Sequence, residues 1–182
     1  MEKIVLSKIG PYGNDWAIVY ADPNNTYSAG GGRLTVVVDS YVGSAFFSHV
    51  SNPTFNEFLA GCNPGYLIKK LFQLDKWVPV ESGDELIEYI ARERMNDIKE
   101  YRSKDGATKD KLRDLYNELQ GLEFTNTSHL HDILDKEQRD TLGGILGEDW
   151  WWDSNPNKLN HAYTYLDSIL TSIILKFKEK VA

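Results

Sequence analysis

Apolar positions in the first fifty residues come in short runs separated by turn residues. Ile4-Val5-Leu6 is one run, closed by Gly10-Pro11-Tyr12-Gly13-Asn14; Trp16 to Tyr20 is a second, rich in aromatic and β-branched side chains. Asp22-Pro23-Asn24-Asn25 and Gly30-Gly31-Gly32 interrupt the chain before Leu34-Thr-Val-Val-Val38, the strongest strand signal it contains. Runs of this length, bounded by Gly, Pro, Asn and Asp, predict strands. Ser44 to Val50 can return along the Leu34 strand through a connection at Asp39–Gly43. The expectation for residues 1–52 is an antiparallel sheet of three or four strands.

Beyond residue 53 the period changes from two to about 3.6. Thr54-Phe-Asn-Glu57 is a capping-box pattern, in which side chains at both ends of the tetrapeptide satisfy helix-start N–H groups. That helix should stop at Gly61, and Asn63-Pro64 should open another, with Pro64 where its missing N–H costs nothing. Ser82-Gly-Asp-Glu85 is a second such box. Behind it Ile87, Ile90, Ala91, Met95, Ile98 and Tyr101 recur at helical spacing, predicting one long amphipathic helix over 83–102. Thr108 should cap a helix with Leu112, Leu115, Tyr116 and Leu119 on its stripe. Helical turns are expected near 128–135 and 136–142, with a break at Gly143-Gly144 and Gly147. Asn155-Pro156 should open a last helix carrying Leu159, Ala162, Tyr163, Leu166, Ile169, Leu170, Ile173 and Phe177. Strands first and helices after predict an α+β fold. The expected organisation is a single domain over 1–182, with a sheet portion over 1–52 and a helical portion over 53–182.

Composition supports a packed core: 41% of the 182 residues are hydrophobic, and a chain of this size buries roughly two-thirds of its unfolded surface. Cys62 is the only cysteine, which excludes an intramolecular disulfide and fits a reducing compartment. No signal-peptide apolar region opens the chain, and Ile169 to Leu175, interrupted by Thr171 and Ser172, falls far short of the roughly 20 residues a span needs. A cytoplasmic location and no membrane partner are expected.

The net charge of −7 is uneven: residues 1–74 are neutral, 75–153 carry −9 and 154–182 carry +2. Direct nucleic-acid binding is disfavoured, because that contact wants positive charge. On the 83–102 helix Glu85, Glu88, Asp97 and Glu100 lie off the apolar stripe, as do Asp110, Asp114 and Glu118 on the next. Such acids can imitate a row of phosphates and recruit a nucleic-acid-binding partner. Arg92, Arg94, Lys99, Lys111 and Arg113 interleave with them, as on an ordinary solvated face.

Catalytic chemistry has little to stand on. His129, His131 and Asp132 could serve a metal-dependent hydrolase or nuclease, but helix positions two apart point about 200° from each other. Cys62 has no neighbouring histidine, and neither Gly30-Gly-Gly-Arg33 nor Gly143-Gly-Ile-Leu-Gly147 has the lysine of a phosphate loop. No catalytic residue, metal or cofactor is assigned. Trp150-Trp151-Trp152, between Glu148-Asp149 and Asp153, stands out instead. Three successive side chains cannot all enter one core. At least one should be exposed, as an anchor for a protein partner or as a stacking platform for single-stranded nucleic acid.

Asp39-Ser-Tyr-Val-Gly-Ser44, Phe46-Phe47, Phe55 with Glu57-Phe58-Leu59, Tyr66-Leu67 and Lys70-Leu71 together resemble a segment of small accessory proteins of tailed phages and prophages. The likeness covers about residues 33–72. It implies a phage origin and no catalytic residue; small proteins of that origin bind and redirect host proteins, defence systems among them. The expected function is therefore non-catalytic binding and modulation of a host protein, a nucleic-acid-binding complex being one candidate. Trp150, Trp151, Trp152, Glu85, Glu88 and Asp97 are the expected partner contacts.

Overall fold

The computed structural model describes residues 1–26, 28–104, 108–153 and 156–182. In chain order the elements are β1 (Glu2–Ile9), β2 (Asp15–Pro23), β3 (Gly32–Val38), β4 (Tyr41–Phe47), α1 (Phe55–Gly61), α2 (Pro64–Leu71), β5 (Trp77–Pro79), α3 (Gly83–Glu93), α4 (Met95–Lys104), α5 (Lys109–Leu119), α6 (Thr127–Ile133), α7 (Lys136–Leu146), α8 (Trp150–Asp153), β6 (Asn157–Leu159) and α9 (His161–Val181). This is the α+β arrangement expected from the sequence. The chain divides into two compact units, Met1–Lys76 with Asn160–Ala182, and Trp77–Leu159.

In the first unit β1 to β4 form an antiparallel meander in the order β1-β2-β3-β4. Ala17, Val19 and Ala21 alternate along β2, and Leu34, Val36 and Val38 along β3; all six are buried, so one face is sealed and register is fixed by the pattern itself. β4 begins at Tyr41, earlier than Ser44, because Val38 pairs with Tyr41 across a two-residue turn. Asp39 there takes φ 47°, the left-handed geometry that such tight hairpins require. The buried face packs on α1, α2 and α9. α1 carries the full capping box, Thr54 accepting from the Glu57 N–H and Glu57 from the Thr54 N–H. α2 is capped by Asn63, with Pro64 in its first turn. α9 buries Leu166, Ile169, Leu170, Ile173 and Phe177 of the stripe read from its periodicity, and Ile174 beside them, while Ala162 and Tyr163 are half-buried.

The start of α9 differs from expectation. Asn160 caps it, accepting from the Ala162 and Tyr163 N–H groups at 3.1 and 3.4 Å. Leu159 is in β6 rather than on the helix, paired with Trp77 of β5. The cap assigned to Asn155 lies outside the described residues.

The second unit is mostly helical, with β5 and β6 as a short antiparallel ladder. The single helix expected over 83–102 is two. Arg94 ends α3 with φ −122° and ψ 16°, and α4 restarts at Met95 in a new direction. The bend lays Tyr101 against α7, where a Cβ on Gly144 would stand 2.3 Å from its ring. That close approach needs glycine, and it explains why Gly143-Gly144 does not break α7: the pair lies inside the helix, which ends only at Gly147. The second capping box is half formed. Ser82 accepts from the Glu85 N–H, but Glu85 reaches the Glu81 N–H and Lys158 instead of closing on Ser82. Thr108 caps α5 as expected, and α7 carries an unforeseen box between Asp135 and Gln138. Leu86, Leu119, Leu130, Leu142, Ile145 and Trp150 sit in this unit's core.

Candidate functional site

The site is built where α6, α7 and α8 meet. α7 stops at Gly147, whose φ of 109° is open to glycine and strained for other residues. The chain then turns into α8, a single turn started by the Trp150 N–H donating to the Gly147 carbonyl at 3.2 Å. A second element fixes that turn from the side. The Thr127 and Ser128 hydroxyls, at the start of α6, both donate to the Trp151 carbonyl, at 2.9 and 3.3 Å.

The three tryptophans therefore divide their work. Trp150 is 1% exposed and anchors α8 in the core. Trp151 is half-buried, at right angles to Trp150 and with its ring 4.3 Å from that of His131. Trp152 is 79% exposed. A large aromatic held out on a pinned turn loses little conformational freedom when a partner covers it, which is the physical basis of aromatic hot spots.

Beside Trp151 lies an open cavity of about 670 Å³, walled by His131, Arg139, Asp140 and Glu148 over a floor of Gly143, Gly144 and Gly147. Arg139 is partly engaged, donating to the His131 carbonyl at 3.3 Å. Asp140 and Glu148 outnumber Arg139 among the charged side chains that line this cavity, so its rim is acidic on balance. Asp97, Glu100 and Lys104 of α4 border the same glycine floor on its other side.

The expected contact residues are thus only partly brought together. Trp151 and Trp152 share the corner, and Asp97 adjoins it across the glycine floor, though it also pairs with Arg94 at 3.3 Å. Trp150 is support rather than surface. Glu88 is exposed on α3, and Glu85 is committed to Lys158 at 2.6 Å. Partial burial opposes ionisation of Glu85, but the Lys158 ammonium and the Glu81 N–H outweigh it and hold the carboxyl below its usual range. Sequence reasoning missed His131 as a ring partner and Asp140 as a rim acid. The second had a local signal: Asp140 is one turn from Gly144 on α7, so both face the same way.

Of His129, His131 and Asp132 only the last two come together, His131 Nδ1 lying 3.6 Å from Asp132 Oδ1. His129 accepts from the Thr125 N–H at 3.2 Å, whereas His131 faces Trp151. Among the described residues no three His, Cys, Asp or Glu side chains are grouped to hold a metal. Cys62 caps α1, and burial pushes its thiol up to about 11, far from a reactive thiolate.

A family model described as a phage family matches residues 2–179. The chain belongs to this phage family. The likeness first read over residues 33–72 thus reaches almost the whole of this phage-family protein, both units included. No curated protein and no solved structure matches it. Among the described residues no helix is long and apolar enough to cross a membrane.

Proposed function

We propose that this phage-family protein is a non-catalytic accessory factor that binds a host protein through the Trp151–Trp152 corner and modulates it. The observation that carries the reading is Trp152, 79% exposed on a turn whose neighbour Trp150 is 1% exposed. An apolar ring kept in water by a dedicated anchor is a contact waiting for its surface. Beside its neighbour Trp151, Asp140 and Glu148 outnumber Arg139, and Asp149 directly precedes the tryptophans, which gives that surface a negative sign. A partner with basic side chains fits, its cations reaching the acidic rim and stacking on Trp151. Host proteins that handle nucleic acid carry such faces, and a defence complex of that kind is the proposed target. The acids of α3 and α4 contribute mainly to steering, because Glu85, Asp97 and Glu100 are each paired with a base in the chain.

The test is affinity capture from host lysate by the full chain and by Trp152→Ala, with circular dichroism of both. The proposal expects a host protein that the variant binds about 30-fold more weakly, equivalent to ~2 kcal/mol, with an unchanged spectrum. A partner held equally well by both proteins would place the binding face elsewhere. Salt-sensitive retention on single-stranded DNA that Trp152→Ala abolishes would replace the proposal with direct nucleic-acid binding.

A further inference from the structure

We infer that the groove between α3–α4 and α5 is the interface of a two-fold homodimer, its occupant a second copy of this chain laid antiparallel across it. The groove encloses about 170 Å³, with Ile87, Ala91, Met95 and Ile98 on one wall and Leu112 and Tyr116 on the other. Met95 is 50% exposed and Tyr116 47% exposed, and α4 buries none of its side chains fully. This is a continuous apolar strip, unlike the isolated apolar side chains that any surface carries.

The charges along the strip say what covers it. α3 and α5 run antiparallel, since the Gly83 N–H donates to the Leu122 carbonyl at 2.7 Å and Ser82 bridges Glu123. At that end Asp84 and Glu88 are exposed, one turn apart, on the edge of α3 that continues through Ala91 to Met95. At the opposite end Lys99 and Arg102 stand one turn beyond Met95 and Ile98, and Lys109 and Arg113 lead up to Tyr116 along α5. All four are exposed, and only Arg113 has a pairing, to Asp110 at 3.5 Å, among the described residues.

A groove acidic at one end and basic at the other is its own complement. A two-fold axis lying in the interface and crossing the groove sets each acidic end against the partner's basic end, with Met95 and Tyr116 near the axis. Rotation about the groove's length would oppose like charges, so the pattern selects one mode and rejects the other. Trp152 takes no part in this contact, so the inference stands apart from the proposed host target.

Sedimentation equilibrium of the full chain, from about 1 to about 200 μM, is the test, because standard-sized contacts without deep pockets fall in this affinity range. The expected result is a reversible dimer, weakened at high salt, with Met95→Lys raising the dissociation constant at least about tenfold. Asp84→Lys with Glu88→Lys should weaken it comparably, and adding Lys99→Glu with Arg102→Glu to the same chain should restore it. Should Met95→Lys lose helix by circular dichroism, the charge reversals, all at exposed positions, decide. A single-chain mass at every concentration overturns the inference, as does a dimer indifferent to both the reversal and its restoration.

Discussion

The two units of this protein bury their helices to different degrees. In the first, α9 places six large apolar side chains in the core against a sheet whose buried face is sealed. In the second, α4 buries none, Met95 and Tyr116 stand half in water, and Trp152 projects from α8. Local sequence explains both. The α9 stripe repeats without interruption, whereas the stripe begun at Ile87 is broken at Arg94, so of its second half Ile98 and Tyr101 pack only at the edge of the core that Leu86 and Ile90 enter, and Met95 stays half in water. A polypeptide conserves free energy by finishing a core; the apolar surface left unfinished in the second unit is where binding can gain most.

Removing one anchor from each core has the largest expected effect. Trp150→Ala should cost about 3–5 kcal/mol and Leu166→Ala about 2–5 kcal/mol, because both sites are closed to water and leave a cavity. Trp152→Ala should change stability by less than about 0.5 kcal/mol, as surface replacements do. Denaturant titrations of the three variants check this. Equal losses for Trp150 and Trp152 would erase the distinction between anchor and contact.

A smaller effect is confined to the first unit. Burial raises the Cys62 thiol to about 11, and burial together with the Asp15 carboxylate 3.0 Å away raises the Tyr165 hydroxyl to about 12. The unfolded groups titrate near about 8.5 and 10. The folded state holds both protons more tightly, so their stabilising contribution is complete below about pH 8.5 and is lost as pH rises toward 12. Denaturation midpoints at pH 7 and 10 should therefore fall with pH, and Cys62→Ala should remove part of the slope. A variant with the full slope would show that the thiol is not held neutral by the fold.

The sheet and α9 were legible because their signals are local: alternation in β2 and β3, and a six-residue stripe in α9. What was not legible depends on residues far apart in sequence. β6 exists because Asn157–Leu159 finds Trp77–Pro79, and its Lys158 diverts Glu85 from the capping box. Gly143-Gly144 reads as a break until Tyr101 is known to lie on it. The same limit applies to the site. That three tryptophans could not share a core followed from the backbone alone. Which one stays in water is decided by the Thr127 and Ser128 hydroxyls on the Trp151 carbonyl, more than twenty residues upstream.

Hydrogen exchange of the full chain, alone and saturated with the captured host protein, tests the central claim most directly. Protection on binding should appear in α8, the adjoining end of α7 and the start of α6, while β1 to β4 exchange as in the free protein. Protection gained in the sheet, with α8 unchanged, would contradict the assignment of the binding face to the second unit.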